Sequence, residues 1–301
     1  MKKAIEPKPI SKGATLGVVA PASAISKEHL EKSIRILQRR GFKVQLGEHI
    51  YKTHRTFSAC DEYRLADLQW ALDSPDIDAV ICARGGYGCQ RIIEGLNLKK
   101  FSKNPKWIVG FSDITALHTF VLQTTNICTV HGAMLSTFID DDKESEDVAQ
   151  LLSLLQGEEQ SYKIAGHGLN KEGKFFGQLI GGNLALFTSM MATRYKPDLD
   201  AKILFLEDIG EDLYKLDRMM ETLKLGDISK LGALVCGHFS DCEKGEPAFA
   251  EDAYEVIHEA LKGYDFPVCY GFPSGHEHPN MAWIHGKEYK LTITKENVMM
   301  R

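Results

Sequence analysis

The chain has 301 residues, enough for one large or two ordinary domains, and can bury about three quarters of its unfolded surface without a disulfide or a metal. With 44% hydrophobic and 26% charged residues it has the balance of a soluble globular protein, which argues against disordered and fibrous architectures. Lys+Arg 36 against Asp+Glu 41 leaves a formal charge of −5, so no basic footprint for a nucleic-acid partner is expected.

The seven cysteines are odd in number and form no CxxC pair, which points to neither a disulfide framework nor a zinc cluster. The opening MKKAIEPKPISKG carries no apolar signal stretch, and no apolar run approaches the ~20 residues of a membrane helix. The expected location is the cytoplasm, with no membrane partner.

Leu16 to Ala20 reads as a strand ending at Pro21. Lys27 to Arg40 reads as an amphipathic helix with Leu30, Ile34 and Leu37 on one stripe and Gly41 as its stop. Phe42 to Leu46 is a second strand, and Asp61 to Leu72 a helix carrying Leu65, Leu68 and Leu72. Ala79 to Ala83 follows as a strand, then the turn Arg84-Gly85-Gly86-Tyr87-Gly88 and a helix through Ile92 and Ile93. Trp107 to Gly110 is a buried-type strand that runs into Ser112 and a helix to about Gln123, and Ile127 to His131 closes the series. Strand, crossover helix and strand in repetition predict a mostly parallel sheet covered on both faces.

The pattern changes near residue 140. Asp140 to Glu146 is acidic, Val148 to Leu155 is a short helix, and a polar, glycine-containing stretch follows. The expected division is an α/β domain over 1–155, a linker over 156–172 and a second domain over 173–301. That second domain mixes strands (Ile203 to Leu206, Ala233 to Gly237, Tyr289 to Thr294) with helices near Leu213 to Leu223 and Glu251 to Leu261, an α+β arrangement.

Three features sit where chemistry gathers, at the carboxyl ends of strands. The Arg84–Gly88 turn is either an anion cradle or simply a tight turn. Gly110-Phe111-Ser112-Asp113 has the strand–corner–helix order of a nucleophile elbow but lacks the second glycine of G-x-S-x-G, so Ser112 alone also reads as a helix N-cap. In the second half, Glu207-Asp208 ends an apolar strand, and Gly275-His276-Glu277-His278-Pro279 places two histidines in a punctuated loop. A His276/His278 metal pair is the weaker reading, because no helical ligand spacing accompanies it. His118 falls on the helix after Ser112, and His131 ends a strand where it could line a cleft.

Five motifs in register, Ala83-Arg84-Gly85-Gly86-Tyr87-Gly88, Gly110-Phe111-Ser112-Asp113, Gly181-Gly182-Asn183-Leu184, Leu206-Glu207-Asp208 and Gly275-His276-x-His278-Pro279, resemble the serine LD-carboxypeptidases across nearly the whole chain. These are the muramoyltetrapeptide carboxypeptidases of peptidoglycan recycling, to which the microcin C immunity peptidases are similar. The resemblance implies a Ser112–Glu207–His276 triad, a flavodoxin-like amino-terminal domain, a β-rich carboxy-terminal domain and a homodimer. It implies a small peptide substrate, murein tetrapeptide, losing its terminal D-alanine, with no cofactor and no metal.

The chemistry of these residues agrees with the resemblance. His276 would take the Ser112 proton, Glu207 would hold the imidazole, and the N–H groups of Asp113 and Gly86 would face the oxyanion. With its members on both expected domains, the site is expected in the cleft between them. Arg84, Gly85 and Asn183 are the expected substrate contacts; Arg84 either grips the terminal carboxylate or braces the turn. Two rival functions stay open, a peptidase acting on a peptidyl or aminoacyl nucleotide and a non-catalytic ligand-binding module.

Overall fold

The structure, a computed structural model, describes residues 3–140 and 143–301. Asp141 and Asp142 of the expected acidic stretch lie outside the described residues. The chain divides into two compact units, one comprising the part up to Glu159 together with Met281–His285, the other Gln160–Asn280 and Gly286–Arg301.

In the first unit, strands and helices alternate as β1 (Thr15–Val19), α1 (Lys27–Arg39), β2 (Lys43–Leu46), α2 (Asp61–Asp73), β3 (Ala79–Cys82), α3 (Lys99–Lys103), β4 (Trp107–Gly110), α4 (Ile114–Thr125) and β5 (Thr129–His131). A short antiparallel pair, β6 (Ile139–Asp140) and β7 (Lys143–Glu144), and α5 (Glu146–Leu155) complete it. The strands order as β2-β1-β3-β4-β5, all parallel. This is the 2-1-3-4-5 winding of flavodoxin-like folds, whose ligands gather beyond the carboxyl ends of the strands where the order reverses. Here β1 and β3 flank that reversal. Every residue of β3 and β4 is buried, which is why both read as unbroken apolar runs. Trp283–His285 adds a last strand antiparallel to β5.

Local chemistry sets the helix ends. Ser26 caps α1, its hydroxyl accepting the His29 N–H at 3.2 Å, and Gly41 beyond its end has φ 91°. The helix expected through Ile92 and Ile93 is instead two 3₁₀ turns, Cys89–Arg91 and Ile93–Gly95. The buried face of α2 is Arg64, Asp67, Leu68, Ala71 and Leu72, while Leu65 is only half-buried.

The second unit carries β8 (Tyr162–Ala165), β9 (Gly173–Asn183), α6 (Leu184–Met191), β10 (Lys202–Ile209), α7 (Leu213–Leu225), β11 (Ala233–Ser240), α8 (Ala253–Ala260) and β12 (Val268–Cys269). After the strand that returns to the first unit, β13 (Trp283–His285), come β14 (Glu288–Ile293) and β15 (Asn297–Met300). Seven strands form one mixed sheet, β12-β11-β10-β9-β14-β15-β8, parallel from β9 to β12 and antiparallel from β14 to β8.

Two details differ from the sequence-based division. The 156–172 stretch is not linker throughout, because Tyr162–Ala165 pairs with β15, and residues 281–285 belong to the first unit. The parallel first sheet and the sheet-rich second unit are as expected. Among the described residues no helix is long and apolar enough to cross a membrane.

Candidate active site

Ser112 stands at the corner between β4 and α4 with φ 61°, the left-handed region that a non-glycine residue enters at a cost of about 1–3 kcal/mol. It is not the helix N-cap; Asp113 holds that position, in helical geometry. A strained serine on a strand-to-helix corner is the geometry that lifts a hydroxyl out of the backbone and turns the next N–H beside it.

The glycine turn after β3 packs against this corner. A Cβ on Gly85 would lie 2.9 Å from Ser112 Cβ and 3.1 Å from its Oγ. Gly86 has φ 99°, and a Cβ there would run into the Ser23 hydroxyl, so this position needs glycine both for its backbone and for its space. Ser23 pins the turn twice. Its N–H donates to the Gly85 carbonyl at 3.1 Å, and its Oγ accepts the Tyr87 N–H at 3.3 Å. Among the described residues neither the Gly86 nor the Asp113 N–H has an acceptor.

Arg84 is exposed and donates from its guanidinium to the Ala24 carbonyl at 3.0 Å, which is the bracing role, with further donors on the same group. His131 does not line a cleft. It is buried and stacked on Trp283, with ring centroids 4.9 Å apart. His118 is also buried, donating Nε2–H to the Gly110 carbonyl at 2.8 Å, and burial pulls its pKa down to about 4 against that hydrogen bond.

In the second unit Glu207 and Asp208 end β10, where the register with β11 shifts between Leu206 and Asp208. Both carboxylates are buried, but they serve different partners. Glu207 Oε2 lies 2.6 Å from His276 Nδ1, a bond that fixes Nδ1–H and leaves Nε2 as the basic nitrogen. Asp208 accepts from the Asn183 amide at 2.7 Å, from the Ala185 N–H at 3.0 Å and from its neighbour Ile209 N–H at 2.9 Å.

Asn183, expected at the substrate, is therefore occupied structurally. It is buried, its amide nitrogen holds Asp208, and its carbonyl oxygen caps α6 by accepting the Leu186 N–H at 3.1 Å.

The loop that carries His276 is fastened to β11. The Phe272 N–H donates to the Cys236 carbonyl, and the His238 N–H to the Ser274 carbonyl, both at 2.9 Å. Asn280 closes the loop from inside by accepting the Gly275 N–H at 3.0 Å and the Ser274 hydroxyl at 3.2 Å. Gly275 has φ 134°, and a Cβ there would meet Glu207 Oε2 at 3.0 Å. Glycine lets the loop descend onto the acid.

Burial is the largest influence on His276 and pushes its pKa down, but the Glu207 charge and hydrogen bond, with Asp208 behind them, carry it above the ordinary value. Burial, then the Glu207 charge, raises Asp208 to about 7 against the hydrogen bonds it accepts. His278 is exposed, and among the described residues no group of three or more His, Cys, Asp or Glu is arranged to hold a metal.

Sequence reasoning missed Arg64, Ser23 and Asn280. Arg64 is almost fully buried on α2 and donates to the carbonyls of Pro21 and Gly88, the latter at 3.0 Å, and to Asp61 at 2.5 Å. Its signal was available, since 64, 68, 71 and 72 share the i, i+4, i+7, i+8 stripe and an arginine on an apolar stripe needs a buried partner.

Two family models cover the chain, the LD-carboxypeptidase N-terminal domain over residues 16–132 and the LD-carboxypeptidase C-terminal domain over 176–291. A Bacillus subtilis (strain 168) protein named probable murein peptide carboxypeptidase is 37% identical over 300 residues, covering 98% of this chain and 94% of the relative. The murein tetrapeptide carboxypeptidase of Pseudomonas aeruginosa is 35% identical over 282 residues, covering 90% and 91%. The crystal structure of muramoyltetrapeptide carboxypeptidase from Oxalobacter formigenes superimposes with a TM-score of 0.88 at 28% identity, over 95% of this chain and 98% of that one. With both halves of the chain matched and relatives above 30% identity along nearly its whole length, this protein belongs to the LD-carboxypeptidase family.

Proposed function

We propose that this serine-type LD-carboxypeptidase removes the terminal D-alanine of murein tetrapeptide. The Ser112 hydroxyl attacks the carbonyl carbon of the scissile bond while His276 Nε2 takes its proton. The carbonyl oxygen becomes an oxyanion facing the N–H groups of Gly86 and Asp113. Collapse breaks the C–N bond, His276 returns the proton to the leaving amine, and water then hydrolyses the acyl-serine by the same route. Glu207 holds Nδ1–H and stabilises the imidazolium. Arg84, with Gly85 beside the serine, takes the substrate's terminal carboxylate.

The observation that carries this reading is Ser112 itself, a non-glycine residue held at φ 61° on a strand-to-helix corner. Two relatives named for murein peptides support the substrate. Seven free cysteines, five of them buried, suit the reducing cytoplasm, and the family resemblance suggests a homodimer, which sedimentation would test.

Mass analysis of murein tetrapeptide incubated with the protein tests the substrate. Release of D-alanine and tripeptide is expected, with the all-L peptide left intact. An untouched tetrapeptide together with cleavage of an aminoacyl sulfamoyl adenylate would move the protein to the nucleotide-conjugate reading.

A further inference from the structure

The two N–H groups assigned to the oxyanion come from different loops, Gly86 from the turn after β3 and Asp113 from the corner after β4. Their usefulness depends on their separation, because donors must sit about 2.7–3.1 Å from one developing charge. Nothing in a parallel sheet fixes that separation, since the strand ladders end below both loops.

The first unit contains two side chains that do fix it. The Asp113 carboxylate reaches across to the other loop and accepts the Cys89 N–H at 2.8 Å. Asp113 is fully buried, and burial pushes its pKa up against the N–H groups of Cys89 and Gly88 and the nearby Arg64 charge. Arg64 reaches the same loop from α2. One guanidinium nitrogen bonds both the Gly88 carbonyl and the Pro21 carbonyl beyond β1, and the other bonds Asp61, which Arg91 also holds at 2.7 Å. The fit is tight, because a Cβ on Gly88 would lie 2.6 Å from the Arg64 Nη1.

With the Ser23 bonds to Gly85 and Tyr87, the turn is tied at Gly85, Tyr87, Gly88 and Cys89. The Gly86 N–H in their midst has no acceptor among the described residues. A mere turn would not need a buried guanidinium, whose costly desolvation is offset here through both terminal nitrogens, by Pro21, Gly88 and Asp61, with Nε alone left without a partner among the described residues.

We propose that Arg64 and the side chain of Asp113 are positioning residues for acyl transfer, locking the Gly86 and Asp113 N–H groups at one separation. Asp113 thus has two parts, an N–H on the oxyanion and a carboxylate that holds the opposite loop. The proposal rests on Ser112 being the nucleophile.

The test uses the full-length chain and two readouts, steady-state turnover of murein tetrapeptide and the second-order rate of Ser112 phosphonylation by a fluorophosphonate. The second needs only the serine, its base and the oxyanion donors, whatever the peptide substrate. Arg64→Met and Asp113→Ala, each checked for a cooperative thermal melt, are expected to lower kcat and the phosphonylation rate together by about 10²-fold, as a displacement of about 1 Å would, with KM within about twofold. Arg64→Lys, which keeps a cation under Gly88 and Pro21, is expected to recover part of both rates, and Asp113→Asn, which keeps an acceptor for Cys89, part of its own loss.

If Arg64→Met does not fold, the Lys and Asn variants decide on the same readouts, their rates then falling below wild type at unchanged KM. Folded variants with wild-type kcat and phosphonylation rate, or with a loss confined to KM, overturn the lock while leaving the nucleophile intact. A wild-type protein not labelled at Ser112 overturns the serine-peptidase reading itself, and the lock with it.

Discussion

At the scale of single residues, the adjacent acids Glu207 and Asp208 test the site most sharply. Glu207 holds His276 at 2.6 Å, whereas Asp208 is committed to Asn183 and the first turn of α6. Glu207→Gln is therefore expected to lower kcat by about 10⁴-fold, as loss of the orienting acid does in a serine triad, and Asp208→Asn to cost far less. Comparable kcat losses, with both variants folded by circular dichroism, would contradict this division of labour.

The His276 shift gives a second expectation. The base must be neutral to work, so the acid limb of kcat/KM should have its midpoint above 6.5. In Glu207→Gln the residual activity should show that limb moved to lower pH, because burial then acts with less opposition. A limb below 6.5 in the wild type would place the base elsewhere. Exhaustive chelation is expected to leave turnover unchanged; loss restored by zinc would hand His276 and His278 to a metal.

At the scale of elements, the alternation of the first unit is readable because its parallel strands are buried on both faces and its connecting helices are amphipathic. The 3₁₀ turns after Gly88 are not, since Cys89 to Gly95 carries the apolar spacing of a helix while tertiary ties hold the segment at Gly88 to Arg64, at Cys89 to Asp113 and at Arg91 to Asp61. β9 is hidden for a different reason. Gly173, Gly177, Gly181 and Gly182 dilute its apolar residues, and a strand paired on both sides needs less intrinsic preference. α6, LALFTSMM, has no polar face to give it a period.

Among site residues, Ser112 and His276 are legible because loops and corners advertise them. Ser23 acts through the backbone of Gly85 and Tyr87, far away in sequence, and Asn280 through Gly275 and Ser274 across its own loop, neither of which a local pattern records. The apolar stripe of α2 records the burial of Arg64 but not its partners Pro21 and Gly88. The His276 loop offers a test at this scale. Gly275→Ala places a methyl 3.0 Å from Glu207 Oε2 and 3.2 Å from His238 Cβ, at a φ that strains any side chain. The loop should retreat, with stability lowered by about 1–3 kcal/mol and kcat lowered in the protein that remains folded. Denaturant melts and kinetics on the same preparation check both, and wild-type kcat would show that the approach of loop to acid is not needed.

At the scale of the whole molecule, the buried histidines of the first unit tie its stability to pH. His118 and His285 stack with centroids 5.7 Å apart, and both are held below their ordinary pKa, His118 at about 4. An imidazole kept neutral when folded binds its proton in the unfolded chain first. Stability from His118 is thus complete above pH 6.5 and lost as pH falls towards 4, by up to about 3 kcal/mol. His118→Gln, which retains a donor for the Gly110 carbonyl, should flatten the dependence of the melting temperature between pH 6.5 and 4, and an unchanged slope would exclude His118 as its source.

The chain works as a peptidase only if one nucleophile, Ser112, carries the reaction. The direct measurement is D-alanine release from murein tetrapeptide by wild type and by Ser112→Ala, with matched thermal melts. Removing a triad nucleophile has cost about 10⁶-fold in kcat elsewhere. The expected result is turnover in the wild type and no more than about a thousandth of it in the folded variant, whereas activity well above that level would contradict Ser112 as the nucleophile.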